Sequence, residues 1–156
     1  MAFVYMLPWT ALTALTAVPF AQLATPATQG IKVIAIECGQ ETSETSQQEV
    51  LTLAHRSTAS TLPTSTTPFN MSLRATAIAS LLTGSTTTNA VGIATVTGTL
   101  VEAIPLPPFN ALNGFLWYPP EIMRPTLAPS RFMTLQFRTA PAANTWSGGI
   151  YFEELT

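Results

Sequence analysis

The stretch IKVIAIECGQETSETSQQEVLTLAHR (residues 31–56) sets two apolar runs around a polar middle. IKVIAIEC (31–38) is apolar on both faces of a period-two pattern, as in a strand covered on both sides. EVLTLAHR (49–56) reads as a second strand. Between them, GQETSETSQQ carries Glu41 and Glu44 and no basic residue. Desolvation keeps such carboxylates out of a core. The segment predicts two core strands joined by a solvent-facing hairpin loop.

The same pattern recurs along the chain. In RFMTLQFRT (131–139), Met133, Leu135 and Phe137 face one way while Thr134, Gln136 and Arg138 face the other. WSGGIYFEE (146–154) places Ile150 and Phe152 inward with Glu153 opposite, and its SGG is a turn or bulge signal. IATVTGTLVEAI (93–104) predicts a long Thr-rich strand with Gly98 as a bulge or bend. NGFLWYP (113–119) predicts an aromatic strand stopped by Pro119-Pro120. The chain has 13 prolines, and β-branched residues fill the runs between them, which favours strands. One pattern suits a helix: in MSLRATAIASLLTG (71–84), Leu73, Ala77, Ile78, Leu81 and Leu82 fall near a helical period, and Gly84 can end it. A strand and a turn suit the same residues. STASTLPTSTTP (57–68) and TGSTTTNA (83–90) read as loops, and PLPPF (105–109) as a corner. The fold class is all-β, an antiparallel β-sandwich.

At 156 residues the chain suits one domain that buries roughly 70% of its unfolded surface. Charged residues make up 9%, against about 25% in an ordinary domain. Lys32 is the one lysine, and aspartate is absent. Such a surface, with a net charge of −2, resists contact with other protein weakly. The basic residues are scattered singly, which argues against nucleic acid. The single cysteine, Cys38, has no partner for an internal disulfide.

The uncharged opening MAFVYMLPWTALTALTAVPFAQLA (1–24) invites reading as a signal peptide or membrane span. No basic residue precedes the apolar run, and Pro8, Pro19, Thr10, Thr13 and Thr16 interrupt it. We expect a strand or an extended arm over 1–24, with the domain proper at 25–156, and no membrane partner.

Catalytic constellations are missing at the level of residue types. A Ser–His–Asp triad lacks its aspartate, although glutamate can substitute. His55, between Ala54 and Arg56, reads as a strand histidine on a wet face or at an edge. Cys38 and His55 make a nucleophile pair only if their strands are adjacent, and a buried structural thiol is commoner. Glu153 and Glu154 are consecutive, so a strand points them to opposite faces. One histidine and one cysteine are too few for a transition-metal site, and no EF-hand or phosphate-cradling glycine motif occurs. The expectation is no enzyme activity and no cofactor.

Aromatic residues carry the remaining signal. Core filling is the ordinary account. A partner or oligomer interface is the functional one, with Phe3, Tyr5, Trp9, Trp117, Tyr118 and Trp146 as candidates. A carbohydrate platform at Trp117, Tyr118 or Trp146 is the third.

TPATQGIKVIAIECGQET (25–42), followed by ATVTGTLVEAI (94–104) and FNALNGFLWYPPEIMRPTLAPSRFMTLQFRTAPAANTWSGGIYFEE (109–154), resembles small virion proteins of tailed bacteriophages. The order of motifs matches over nearly the whole length. Two departures are Gln29-Gly30, where the family has a charged pair, and the apolar start. The resemblance implies a jelly-roll domain acting as a capsid decoration (cement) or minor structural protein on the phage capsid surface. It further implies a homotrimer bound to the major capsid protein through the N-terminal arm and loops. A tail, baseplate or head-fibre module that binds host glycan is the alternative.

Overall fold

The structure, a computed structural model, describes residues 3–13, 16–41, 46–71, 90–141 and 145–155. Its strands are β1 (Val4–Thr13), β2 (Ala21–Ala24), β3 (Gly30–Gln40), β4 (Gln48–Glu49), β5 (Leu51–Arg56), β6 (Thr64–Ser65) and β7 (Phe69–Asn70). There follow β8 (Ala90–Val91), β9 (Leu100–Pro105), β10 (Phe109–Asn110), β11 (Phe115–Trp117), β12 (Thr126–Leu127), β13 (Phe132–Phe137) and β14 (Thr145–Leu155). Single 3-10 turns stand at Ala111–Asn113 and Glu121–Met123, and no α-helix occurs among the described residues. The helical pattern at 71–84 and the loop at 83–90 lie outside the described residues, except for Met71 and Ala90.

The protein is an all-β sandwich with antiparallel sheets. One sheet runs β11-β3-β14-β1-β7, with β12 also on β3; the other runs β6-β8-β2-β13-β5-β9. β10 and β4 form a small separate pair. Rings stitch the layers together in a continuous file. Trp9 meets Phe20 at 5.2 Å, Phe20 meets Phe137 at 5.4 Å, and Phe137 meets Trp146 at 4.9 Å. Trp146 then meets Phe109 at 6.4 Å, and Phe109 meets Phe115 at 4.9 Å. Centroids this close in tilted or edge-on pairs add roughly 0.5–1.5 kcal/mol each beyond area burial.

The segment 31–56 does not form a hairpin. β3 pairs with β14, β11 and β12 in one sheet, while β5 lies between β13 and β9 in the other. The polar link therefore crosses from layer to layer. Alternating hydrophobicity says which face of a strand is buried, and it is silent on which strand lies alongside. Glu41 stays exposed as expected, but it is not idle: its Oε1 accepts the Ala11 N–H at 3.1 Å and the Ser147 hydroxyl. These bonds hold β1 at its register shift, where Ala11 has φ +49°, a conformation costly outside glycine. Glu49, in β4 two residues before β5 begins, is 1% exposed.

Among the described residues of 1–24, β1 and β2 are strands within the two sheets. β1 lies between β14 and β7, with Tyr5, Leu7, Trp9 and Leu12 buried, and β2 lies between β8 and β13. Pro8 is tolerated because β7 pairs only with Tyr5 and Met6, so β1 is an edge beyond them. The predicted 93–104 strand shrinks to β9, preceded by one bridge between Thr61 and Val96. At Gly98 the obstacle is backbone: a Cβ there would collide with Thr58 O and lie 2.9 Å from Ala59 C.

SGG is not a turn, but the register of β1 against β14 does shift beside it, between Trp9 and Leu12 opposite Ser147. β14 runs straight through it, paired with β3 and β1. A Cβ on Gly148 would strike Glu37 O and lie 2.7 Å from Trp9 Cζ2. A Cβ on Gly39, its diagonal neighbour on β3, would meet nothing within 4 Å. We expect Gly148→Ala to lower stability by about 2 kcal/mol or more through forced backbone movement. Gly39→Ala should change it by less than about 0.5 kcal/mol. Urea titrations of the two variants check this, and equal effects would refute the packing account.

Candidate functional site

The six aromatic candidates separate cleanly by position. Tyr5 (2% exposed), Trp9 (3%) and Trp146 (0%) are in the core, where this monomer offers them to no partner. The alternating face of β1 and the ring file explain why: these are the largest apolar volumes in the chain, and burial of each removes 150–250 Å² from water. Phe3 and Trp117 are half-buried and packed against the same core. Tyr118 alone is plainly at the surface, 64% exposed. Its ring carries the Arg124 guanidinium at 5.1 Å, and its hydroxyl accepts from the same group at 3.0 Å.

The candidate nucleophile pair is divided between layers. Cys38 lies in β3, paired with Phe115 and Gly148, and His55 lies in β5 of the other sheet, paired with Met133 and Glu102. His55 Nε2 is buried with no hydrogen-bond partner. Burial, then the charges of Glu49 and Glu37, push the Cys38 thiol up to about 12, so it is protonated at neutral pH. Tyr151 is also raised to about 12, by burial first and then by its 2.8 Å hydrogen bond to Glu37 Oε1. Among the described residues no group of three or more His, Cys, Asp or Glu could hold a metal. No helix among them is long and apolar enough to cross a membrane.

Both raised values have a consequence with a definite sign. The folded pKa exceeds the unfolded one, so the stabilisation is complete below the ordinary values of 9.0 and 10.0. It is lost as pH climbs through those values towards about 12. The urea midpoint should be level from pH 7 to 8.5 and fall steadily from pH 9 to 11. Cys38→Ala should flatten the first part of that fall; an unchanged slope would mean that the thiol does not titrate against burial.

Arg56 is a charge for which the sequence analysis gave no placement. It is 4% exposed on the outer side of the second sheet. Nε donates to Thr134 Oγ1 at 2.8 Å, and the two terminal nitrogens donate to Gly98 O at 2.6 Å and Gln136 Oε1 at 2.8 Å. Beside it, Gln22 and Ser60 exchange bonds, with Ser60 N–H donating to Gln22 Oε1 at 2.7 Å, and Ser60 Oγ accepts from Gly98 N–H at 2.9 Å. Burial lowers the Arg56 pKa. The group pins the loops after β5 and before β9 onto the sheet, and its neutral partners make it a structural bolt rather than a ligand site.

Two surface features remain. An open concavity of about 410 Å³ lies over Glu37, Gly39, Asn113, Leu116 and Ser147, where glycines on β3 and β14 leave room. Among the described residues, the chain from β9 to the Glu121–Met123 turn exposes most of the large apolar side chains that reach solvent. Sequence reasoning missed these, because apolar residues in strands look alike whether a sheet covers them or not. The available signal was that residues 100–120 hold a single charge, Glu102. No family model, curated protein or solved structure matches the chain significantly.

Proposed function

We propose that this protein is a structural subunit of a phage virion: a jelly-roll capsid decoration protein that binds the major capsid protein as a homotrimer at the capsid surface. It stabilises the head by adding buried area across the joints of the lattice, and it performs no catalysis. Strand order carries the reading. Taking the eight main strands in sequence, the first, eighth, third and sixth lie side by side, as β1-β14-β3-β11. The second, seventh, fourth and fifth form β2-β13-β5-β9. This order supports reading the sandwich as a double Greek key, the architecture of viral capsid domains and of many lectins. Low surface charge supports dense packing of copies, since like-charge repulsion is small.

The experiment is decoration itself. Purified protein is mixed with capsids that lack it, pelleted and imaged. Density repeating at symmetry-related lattice positions, with heads that survive higher temperature, is expected. No co-sedimentation at saturating protein would sink the reading.

Lectin jelly rolls give the second reading, a tail, baseplate or head-fibre module that binds host glycan. The observation favouring it is the open groove over Glu37, Asn113, Leu116 and Ser147, with exposed Tyr118 two residues beyond Leu116 in the chain. Trp146 drops out of that reading because the core encloses it. A glycan array run with Tyr118→Ala and Trp117→Ala variants tests it; binding that disappears in both would favour the glycan module over the capsid subunit.

A further inference from the structure

Asn113 ends the Ala111–Asn113 turn, and Gly114 follows it. The chain holds five asparagines: Asn70, Asn89, Asn110, Asn113 and Asn144 precede Met, Ala, Ala, Gly and Thr in that order. The amide carbon of an asparagine side chain can close a five-membered ring with the backbone nitrogen of the next residue. A side chain on that next residue crowds the nitrogen, and glycine has none. Residue type thus singles out Asn113 as the thermolabile asparagine.

Tertiary structure leaves the same pair unprotected. Asn113 is exposed and lines the open concavity of about 410 Å³, where water reaches its amide and ammonia can escape. A Cβ on Gly114 would meet only Cys38 O, at 3.6 Å, so the space beside the glycine is open. Gly114 N–H donates to Ala111 O at 3.4 Å, a long and weak bond. Ring closure requires Asn113 to leave the 3-10 turn, and a single such turn with a weak closing bond opens early. Asn110, in contrast, is held at both ends of its amide. Its Oδ1 accepts from Leu112 N–H at 3.0 Å, and its Nδ2 donates to Ser46 Oγ at 3.0 Å. Asn70 is 9% exposed.

We propose that Asn113–Gly114 is a self-modification site, where the chain converts a neutral amide into a carboxylate with water as the sole co-reactant. Gly114 nitrogen gives its proton to solvent and bonds to Asn113 Cγ. The Cγ–Nδ2 bond breaks, and the amide nitrogen takes up a proton and leaves as ammonia. Water then opens the cyclic imide at either carbonyl, which yields an α-linked or a β-linked aspartyl residue. Ammonia is exchanged for water, and nothing is oxidised or reduced. The rate rises with pH because the attacking nitrogen must be deprotonated. The new charge enters a chain of net charge −2 that has no aspartate. It arises in a concavity already lined by Glu37, so that surface repels anionic neighbours more strongly as the protein ages. The β-linked product also lengthens the backbone just ahead of β11, where Phe115 pairs with Cys38.

The full chain, aged in warm and mildly alkaline buffer beside a peptide of residues 109–117, gives the test. We expect a mass gain of about 1 Da and one acidic step on isoelectric focusing, both mapped to position 113. The rate should fall within about tenfold of the peptide's, since one weak hydrogen bond is what opening gives up. A protease that cleaves before aspartate finds no target in the fresh chain and should cut the α-linked fraction of the aged one at position 113. Asn113→Gln should abolish the first acidic step with an unchanged melting temperature. A first charge gain at another asparagine, a folded chain slower than that margin, or an acidic step that persists in Asn113→Gln overturns the proposal.

Discussion

A chain lacking residues 1–13 is expected not to fold. β1 pairs with β14 from Val4 to Thr13 and carries Tyr5, Leu7, Trp9 and Leu12 into the core. Burying each such side chain contributes about 1.5–3 kcal/mol, so the four together represent about 6–12 kcal/mol. Whole domains of this size are stable by only about 5–15 kcal/mol. Removal also exposes the β14 edge, a long template for pairing with other chains. The truncated protein should be found in inclusion bodies, or, if refolded, should lack a cooperative melt by circular dichroism. A soluble truncated chain with an intact melt would show that β1 is a dispensable arm, the second of the two readings of the apolar opening, and the core described here would be wrong at its N-terminal side.

Trp146→Ala should be the most damaging single substitution in the ring file. Trp146 is fully buried and touches Phe137 at 4.9 Å and Phe109 at 6.4 Å, so it joins β13 to the corner that leads into β11. Truncating a buried aromatic of this size costs about 3–5 kcal/mol, through lost transfer energy and the cavity left behind. One term acts in the other direction: the indole Nε1 is buried with no hydrogen-bond partner, so the native residue already carries a desolvation cost. Trp146→Phe should therefore cost clearly less, about 1 kcal/mol, because it keeps most of the volume and removes the unpaired N–H. Denaturant midpoints at constant m-value separate the two substitutions. Near-equal losses would mean that the indole N–H, rather than the ring, holds the site.

Local pattern carried a large part of the fold. Alternation placed Met133, Leu135 and Phe137 on the inner face of β13, and all three are buried. Prolines and β-branched residues excluded regular helices from most of the chain. Readings failed where the answer depended on a remote segment. SGG read equally as a turn or a bulge, and only the neighbouring strand, with Trp9 and Met6 laid across it and a register shift opposite Ser147, removed the turn. Arg56 carried no local sign of burial, yet three donors to neutral partners hold it under two loops. Among the aromatic candidates, type alone did not separate Trp146, fully buried, from Tyr118, 64% exposed.

Composition and periodicity by themselves determined that the chain is built of strands, that it has little charge to spend on steering or on catalysis, and which side of each strand is greasy. Those properties are local: they follow from side-chain volume, branching and a repeat of two. Only the tertiary structure decided that β3 and β5 lie in different layers, that β1 is an internal strand, and that Leu116, Ile122 and Met123 keep their apolar side chains in water. Strand neighbours are chosen by the sum of many weak contacts between distant segments, and no single stretch of residues contains that sum.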